Sequence, residues 1–224
     1  TARDSSHFGV NATLNSIDMN GVNSYKDGVI SKLHKGLQGL VKSRNITYVE
    51  GYGKLVSRDT VEVNGVRYTG KNVILATGSY ARTLPGLDID GKRVITSDHG
   101  TKLDYIPKSV IVLGGGVIGC EFASVWKSFG SEVTIIEGLP HLIALEDESS
   151  SKLLERAYRK RKINFELGVR FKSHTVTADG VTVELEDGRT FSAELLLVSV
   201  GRGPVSANLG YEEQGITMDR GYVI

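Results

Sequence analysis

Gly114-Gly115-Gly116-Val117-Ile118-Gly119 holds the clearest chemical signal in this sequence, a G-x-G-x-x-G run. Glycine at its first, third and sixth places lets the chain leave a strand in a tight turn, lets an anionic group approach bare backbone, and lets the next helix pack close to the strand. The flanking residues supply the elements that this use requires. Residues 110–113 read as a buried strand, 120–129 as a helix and 133–136 as a second buried strand, with Gly130 placed as the C-terminal stop of the helix. The helix N-terminus then offers free N–H groups and about half a positive charge to a diphosphate. Glu137 closes the second strand, 18 residues beyond Gly119. A carboxylate there accepts hydrogen bonds from adenosine ribose hydroxyls and repels a 2′-phosphate. No Arg or Lys follows at once, only Gly138-Leu139-Pro140-His141. The spacing indicates NAD(H) rather than NADP(H). The bland account is a turn that serves helix packing alone, with Glu137 facing solvent; the strand–turn–helix–strand context favours the dinucleotide.

Other reactive side chains give weaker signals. Cys120 is the one cysteine, and a single thiol forms neither an internal disulfide nor a redox dithiol. A helix N-terminus can activate a thiol, but a small residue packed on the sheet is the expected role here. Glu121 reads as a first-turn carboxylate favoured by the helix dipole. His7, His34, His99, His141 and His174 lack metal-ligand spacing, so no metal site is expected. Arg156, Arg159, Lys160, Arg161 and Lys162 close a helix, where cations complement the dipole. Trp126 and Phe129 read as core.

The elements that must position the glycine turn fall into two groups, 1–104 and 105–224. In the first, a helix is expected over 24–42, with Val29, Leu33, Leu37 and Leu40 on one face. Short strands follow at 47–50, 54–57, 60–63, 66–69 and 72–76, with Asn64-Gly65 as a hairpin turn. The last, apolar throughout, is expected to be buried on both faces. Residues 80–107 look irregular. In the second group, beyond the glycine unit, a helix is expected over 148–162 with Asp147 as a cap. Strands at 171–177, 181–186 and 190–193 turn at Asp179-Gly180 and Asp187-Gly188, and a buried strand at 195–200 ends at Gly201. The expected fold class is α/β: a Rossmann-like βαβ sheet with an antiparallel β-meander.

Composition narrows the partners. With 27 basic and 26 acidic residues the net charge is +1, which gives nucleic acid or an anionic membrane nothing to hold. No apolar run approaches the roughly 18 residues of a spanning helix, and the opening Thr1-Ala2-Arg3-Asp4 lacks a secretory core. A cytoplasmic location is expected.

Several motifs together resemble one family. Ile74-Leu75-Ala76-Thr77-Gly78-Ser79 followed by Leu84-Pro85-Gly86 resembles the segment of two-dinucleotide flavoproteins where the chain leaves the FAD domain for the NAD domain. Gly116-Val117-Ile118-Gly119-Cys120-Glu121, Ser124-Val125-Trp126, Gly130 and Val133-Thr134-Ile135-Ile136-Glu137 look like the NAD fingerprint of dihydrolipoamide dehydrogenases, flavin-dependent pyridine nucleotide-disulfide oxidoreductases. Gly51-Tyr52-Gly53-Lys54, Val200-Gly201-Arg202-Gly203-Pro204 and Asn208-Leu209-Gly210 match as well.

The resemblance implies the incomplete end of an FAD-binding domain over 1–104 and an NAD-binding domain over 105–224. Gly53 and Thr77, Gly78 and Ser79 would lie against FAD. Gly114 to Gly119 would hold the NAD diphosphate, Glu137 the adenosine ribose and the Phe171 main chain the adenine, with Glu121 and Gly201 near the nicotinamide. It also implies that a redox cysteine pair and a first FAD glycine motif precede Thr1. A second FAD segment and a dimerisation domain with a His-Glu catalytic pair would follow Ile224. On that expectation the chain is a central segment with no catalytic residue of its own and no complete flavin site. The whole protein would be a homodimer that oxidises dihydrolipoamide through a disulfide and FAD to reduce NAD⁺. A mycothione- or glutathione-type disulfide reductase and a non-catalytic NAD-binding module are the alternatives.

Overall fold

The computed structural model describes residues 2–224, with side chains from Asp4 onward. Helix α1 spans Met19–Ser43. It begins ahead of the expected residue 24 because the Asp18 carboxylate accepts hydrogen bonds from the N–H groups of Asn20 (3.0 Å) and Gly21 (3.1 Å). No residue of α1 is buried, and Leu33 on its apolar stripe is 68% exposed. Two polar contacts fasten it, from Asn23 Nδ2 to Leu103 O (2.9 Å) and from Lys26 Nζ to Thr101 O (2.8 Å).

Strands β1 (Gly53–Ser57), β2 (Thr60–Val63) and β3 (Val66–Thr69) form an antiparallel meander. Asn64 (φ +52°) and Gly65 (φ +78°) make the turn between β2 and β3, where Val63 faces Val66. Positive φ at both central residues matches the right-handed twist of the strands. Two expected strands, at 47–50 and 72–76, do not form. Ile74, read as buried on both faces, is 88% exposed. An apolar strand is buried only when others flank it, and no described residue pairs with this one.

The stretch 80–107 is more regular than expected. It holds part of β4 (Ser79–Ala81), then β5 (Val94–Ile95) and the short helix α2 (Ser97–Gly100). Next come β6 (Ser109–Leu113), α3 (Val117–Phe129), β7 (Glu132–Ile136), α4 (Glu148–Lys160) and β8 (Asn164–Glu166). Gly130 ends α3 at φ +112°. The antiparallel strands β9 (Phe171–Val176), β10 (Val181–Leu185) and β11 (Thr190–Ala193) lead into β12 (Leu195–Val198). Strand β13 (Arg202–Pro204) returns to pair with β4, and a small hairpin, β14 (Met218–Asp219) and β15 (Tyr222–Val223), follows.

The central sheet is parallel throughout, in the order β5-β12-β6-β7-β8. Its inner strands β6 and β12 are largely apolar and buried, as strands covered on both faces are, whereas the edge strand β8 is not. On one face α3 and α4 bring Cys120, Ala123, Trp126 and Tyr158 against Val110, Val112, Val133 and Ile135. On the other the meander brings Val181, Val183 and Leu185 against Ile111, Leu113, Ile136 and Leu196. The result is three layers around two apolar cores, each fully buried aliphatic side chain contributing about 1.5–3 kcal/mol. Of the described residues, no helix is long and apolar enough to cross a membrane.

Candidate dinucleotide site

From β6 the chain winds outward through α3, β7, α4 and β8, then crosses the meander to lay β12 along the opposite edge of β6. Successive connections leave β6 in opposite directions, which opens a crevice at the carboxyl ends of β6 and β12, where ligands bind in open α/β sheets. A cleft of about 600 Å³ lies there. Gly114, Gly116, Val117, Ile118, Glu137, Phe171 and Gly201 all line it. Gly115, Gly119 and Glu121 do not; Gly115 and Gly119 are buried behind the turn, and Glu121 is exposed. Helix α3 starts at Val117, three residues ahead of the expected 120, so Glu121 is its fifth residue and lies beyond the first turn rather than in it.

Each glycine of the fingerprint meets a different physical demand. Gly114 has φ +105°, and a Cβ there would overlap the carbonyl oxygen of Ser199 on the neighbouring crossover. A Cβ on Gly119 would overlap Gly114 O and crowd Ser199 Oγ, so the close helix–strand approach excludes any side chain. At Gly116 a Cβ would meet nothing within 4 Å. No contact within the protein requires glycine there; the residue is exposed and lines the cleft. No described acceptor takes the N–H groups of Gly116, Val117 and Ile118 at the start of α3. Free donors and the helix dipole at such an end favour a negatively charged group.

Glu137 is oriented by the turn itself. Gly115 N–H donates to Oε2 (2.5 Å) and Leu139 N–H to Oε1 (2.8 Å). Each carboxylate oxygen keeps further lone pairs, so the group is fixed in place and still able to accept. The side chain is half-buried at the end of β7, on the cleft wall.

Gly53 and the Thr77-Gly78-Ser79 turn lie elsewhere, around a small core of Leu55, Leu209 and Tyr211. Thr77 Oγ1 donates to Val205 O (2.5 Å), Val205 N–H to Gly78 O (3.0 Å), and Arg202 Nε to Ser79 Oγ (2.7 Å). Leu55 N–H donates to Leu209 O (2.8 Å) beside β1. The structure thus gathers the expected flavin-side residues around one cluster and most of the expected nicotinamide-dinucleotide residues around another.

Sequence reasoning passed over several cleft residues. Leu139, Ile143, Ala144, Leu145 and Glu146 form a ledge beside Glu137, and Arg170 and Ser199 complete the wall. A loop of this kind has no periodicity to detect. The one local signal was that Leu139-Pro140 follows the acidic strand end.

Cys120 is packed as expected, 4% exposed, with its Sγ 3.3 Å from Gly115 O. Burial pushes the thiol up to about 11, so at pH 8 it stays protonated and unreactive. A chromogenic disulfide reagent should leave Cys120 untouched in the folded protein and modify it fully in denaturant. Rapid modification without denaturant would show that the turn opens. His99 closes a capping box with Thr96, and His141 faces Glu155. No group of potential metal ligands occurs among the described residues.

The family described as pyridine nucleotide-disulphide oxidoreductase matches residues 3–224. Dihydrolipoamide dehydrogenase of Chaetomium thermophilum is 36% identical over 99% of this chain and 46% of its own length. Dihydrolipoyl dehydrogenase of Bacillus subtilis is 36% identical over 100% of the chain and 51% of its own length. Among solved structures, LpdA from Mycobacterium tuberculosis superposes with a TM-score of 0.85 at 26% identity, covering 98% of this chain and 49% of that one. The flavoprotein disulfide reductase RclA from Escherichia coli, in its Cu(II) complex, gives 0.81 at 26% identity, covering 93% and 48%. The chain spans about half the length of the curated relatives it matches. With its parallel sheet, glycine turn and full-length family match, this chain belongs to the pyridine nucleotide-disulphide oxidoreductases.

Proposed function

We propose that this chain is the NAD-binding central segment of a dihydrolipoamide dehydrogenase. The observation that carries the reading is the cleft at the β6–β12 switch point, where free α3 amides face an oriented acceptor, Glu137. In this reading Gly116, Val117 and Ile118 donate to the diphosphate, and Gly114, Gly115 and Gly119 shape the turn. Glu137 accepts from the adenosine ribose, and the Phe171 main chain meets the adenine. Glu121 and Gly201 stand toward the nicotinamide. Gly53, Thr77, Gly78 and Ser79 form one side of an FAD site completed by other parts of the protein. The bound cofactors supply the hydride and electron transfer; this chain's residues bind, orient and select.

The division near residue 104 belongs to the same proposal, with an amendment. Strand β5 lies in the parallel sheet beside β12 and Leu87 joins the same core, which supports a boundary nearer residue 87. The whole protein is proposed to be a cytoplasmic homodimer acting on dihydrolipoamide. The likeness to RclA favours a second reading, a reductase of another disulfide. Steady-state assay of the whole protein separates the two: NAD⁺ should be reduced by dihydrolipoamide, with NADP⁺ a far poorer acceptor. NADH-dependent reduction of glutathione or mycothiol disulfide, with dihydrolipoamide inert, would sink the lipoamide reading and leave the family intact.

A further inference from the structure

The inward face of α4 sets Leu154 and the Tyr158 ring against the core, yet each of its fully buried residues carries a polar group, where an amphipathic helix ordinarily turns aliphatic side chains inward. Its buried residues are Ser151, Glu155 and Tyr158, four and three positions apart and so on one face. All three hydrogen-bond to backbone beside the glycine turn. Ser151 Oγ donates to Ile143 O (3.4 Å), Leu142 N–H donates to Glu155 Oε1 (3.3 Å), and the Tyr158 hydroxyl donates to Cys120 O (2.6 Å) in the first turn of α3. The Glu155 side chain is only 8% exposed, with His141 Nδ1 3.3 Å from Oε1 and Arg159 Nη2 3.5 Å from Oε2. A carboxylate so buried is costly unless it is paired, and its partners tie α4 to the cleft ledge.

That ledge is under backbone strain. Ile143 stands at φ +45°, a conformation that β-branched residues adopt rarely and only when their surroundings enforce it. Its N–H donates to Gly115 O (2.8 Å), and a Cβ on Gly115 would crowd both the Leu142 side chain and Glu137. Gly115 N–H in turn holds Glu137 Oε2. One chain of contacts therefore runs from α4 through 142–143 and Gly115 to Glu137. A second runs from Tyr158 to the start of α3.

We propose that the polar stripe of α4, with Glu155 at its centre, positions the dinucleotide turn by holding the ledge and the first turn of α3 at a fixed spacing. This rests on the dinucleotide reading of the cleft. Ser151, Glu155 and Tyr158 are positioning residues, since none of them lines the cleft. A brace that only stabilised the fold would lower the melting temperature and leave nucleotide affinity alone.

Calorimetric titration of NAD⁺ into the whole oxidised protein, with thermal unfolding alongside, separates the two roles. Glu155→Leu should weaken NAD⁺ about tenfold, as loss of a supporting contact behind a binding group does. Glu155→Gln keeps a carbonyl acceptor for Leu142 N–H and should stay within about threefold of the parent. A folded Glu155→Leu protein with parental affinity would overturn the proposal. Should that variant not fold, Tyr158→Phe decides, because it deletes one oxygen and keeps the packing: about threefold weaker binding is expected, and unchanged affinity overturns the idea. If the parent protein itself takes no NAD⁺, and Glu137→Gln is silent for that reason, the dinucleotide reading has failed and this proposal falls with it.

Discussion

Glu137→Ala is expected to weaken NADH binding roughly ten- to hundred-fold, because hydrogen bonds to a charged acceptor contribute about 1.5–3 kcal/mol. The same substitution should narrow the preference for NADH over NADPH, since the carboxylate that opposes a 2′-phosphate is gone. Part of the loss has a second origin: Gly115 N–H and Leu139 N–H both donate to this carboxylate, and both are left without it. Glu137→Gln keeps an acceptor and removes the charge, so it should bind NADH better than the alanine variant and still relax the discrimination. Titrations of both nucleotides into all three proteins give the answer. Equal affinity of the parent for NADH and NADPH would defeat the NAD assignment.

A pair of glycine substitutions should separate folding from binding. Gly119→Ala places a methyl group on Gly114 O, a backbone atom at the end of a central strand that has nowhere to retreat. A loss of about 3 kcal/mol or more is expected, read as a shift of the urea midpoint. Gly116→Ala points its methyl into open space from an ordinary φ of −69°, so the cost to stability should stay within about 1 kcal/mol, that of a poorer N-cap. Its NADH affinity should nonetheless fall at least about tenfold, because the methyl occupies the approach of the diphosphate. A Gly116→Ala protein that binds NADH like the parent would show that no phosphate passes that glycine.

The parts of this fold legible in the sequence are those set by local chemistry. Gly114, Gly119 and Gly130 mark places where a Cβ or a negative φ does not fit, and Asn64-Gly65 sits at two successive positive φ values. Such demands are met within a few residues. What escaped depended on distant partners. Residues 72–76 have the composition of a buried strand, yet burial requires neighbours on both edges, and the described chain offers none. Strand β5 is two residues long, too short for any pattern, and exists because Leu196 and Leu197 of β12 lie beside it. In α4 the sequence shows Ser151, Glu155 and Tyr158 as polar residues, and polarity ordinarily means a solvated face. Their burial follows from backbone groups at 120 and 142–143 that only the tertiary structure brings within reach.

The position of β12 has a consequence for how the chain acquires its structure. Strand β6 finds β7 close by, through one helix, but its other edge waits for residues far along the chain: Val110 pairs with Leu195, 85 positions later. During synthesis at about 5–20 residues per second, β6 would therefore stand with one apolar edge open for several seconds. An unpaired, largely apolar strand edge is a template for association with other chains. The strand that completes the crevice is thus also one whose late arrival leaves β6 open to pairing with other chains.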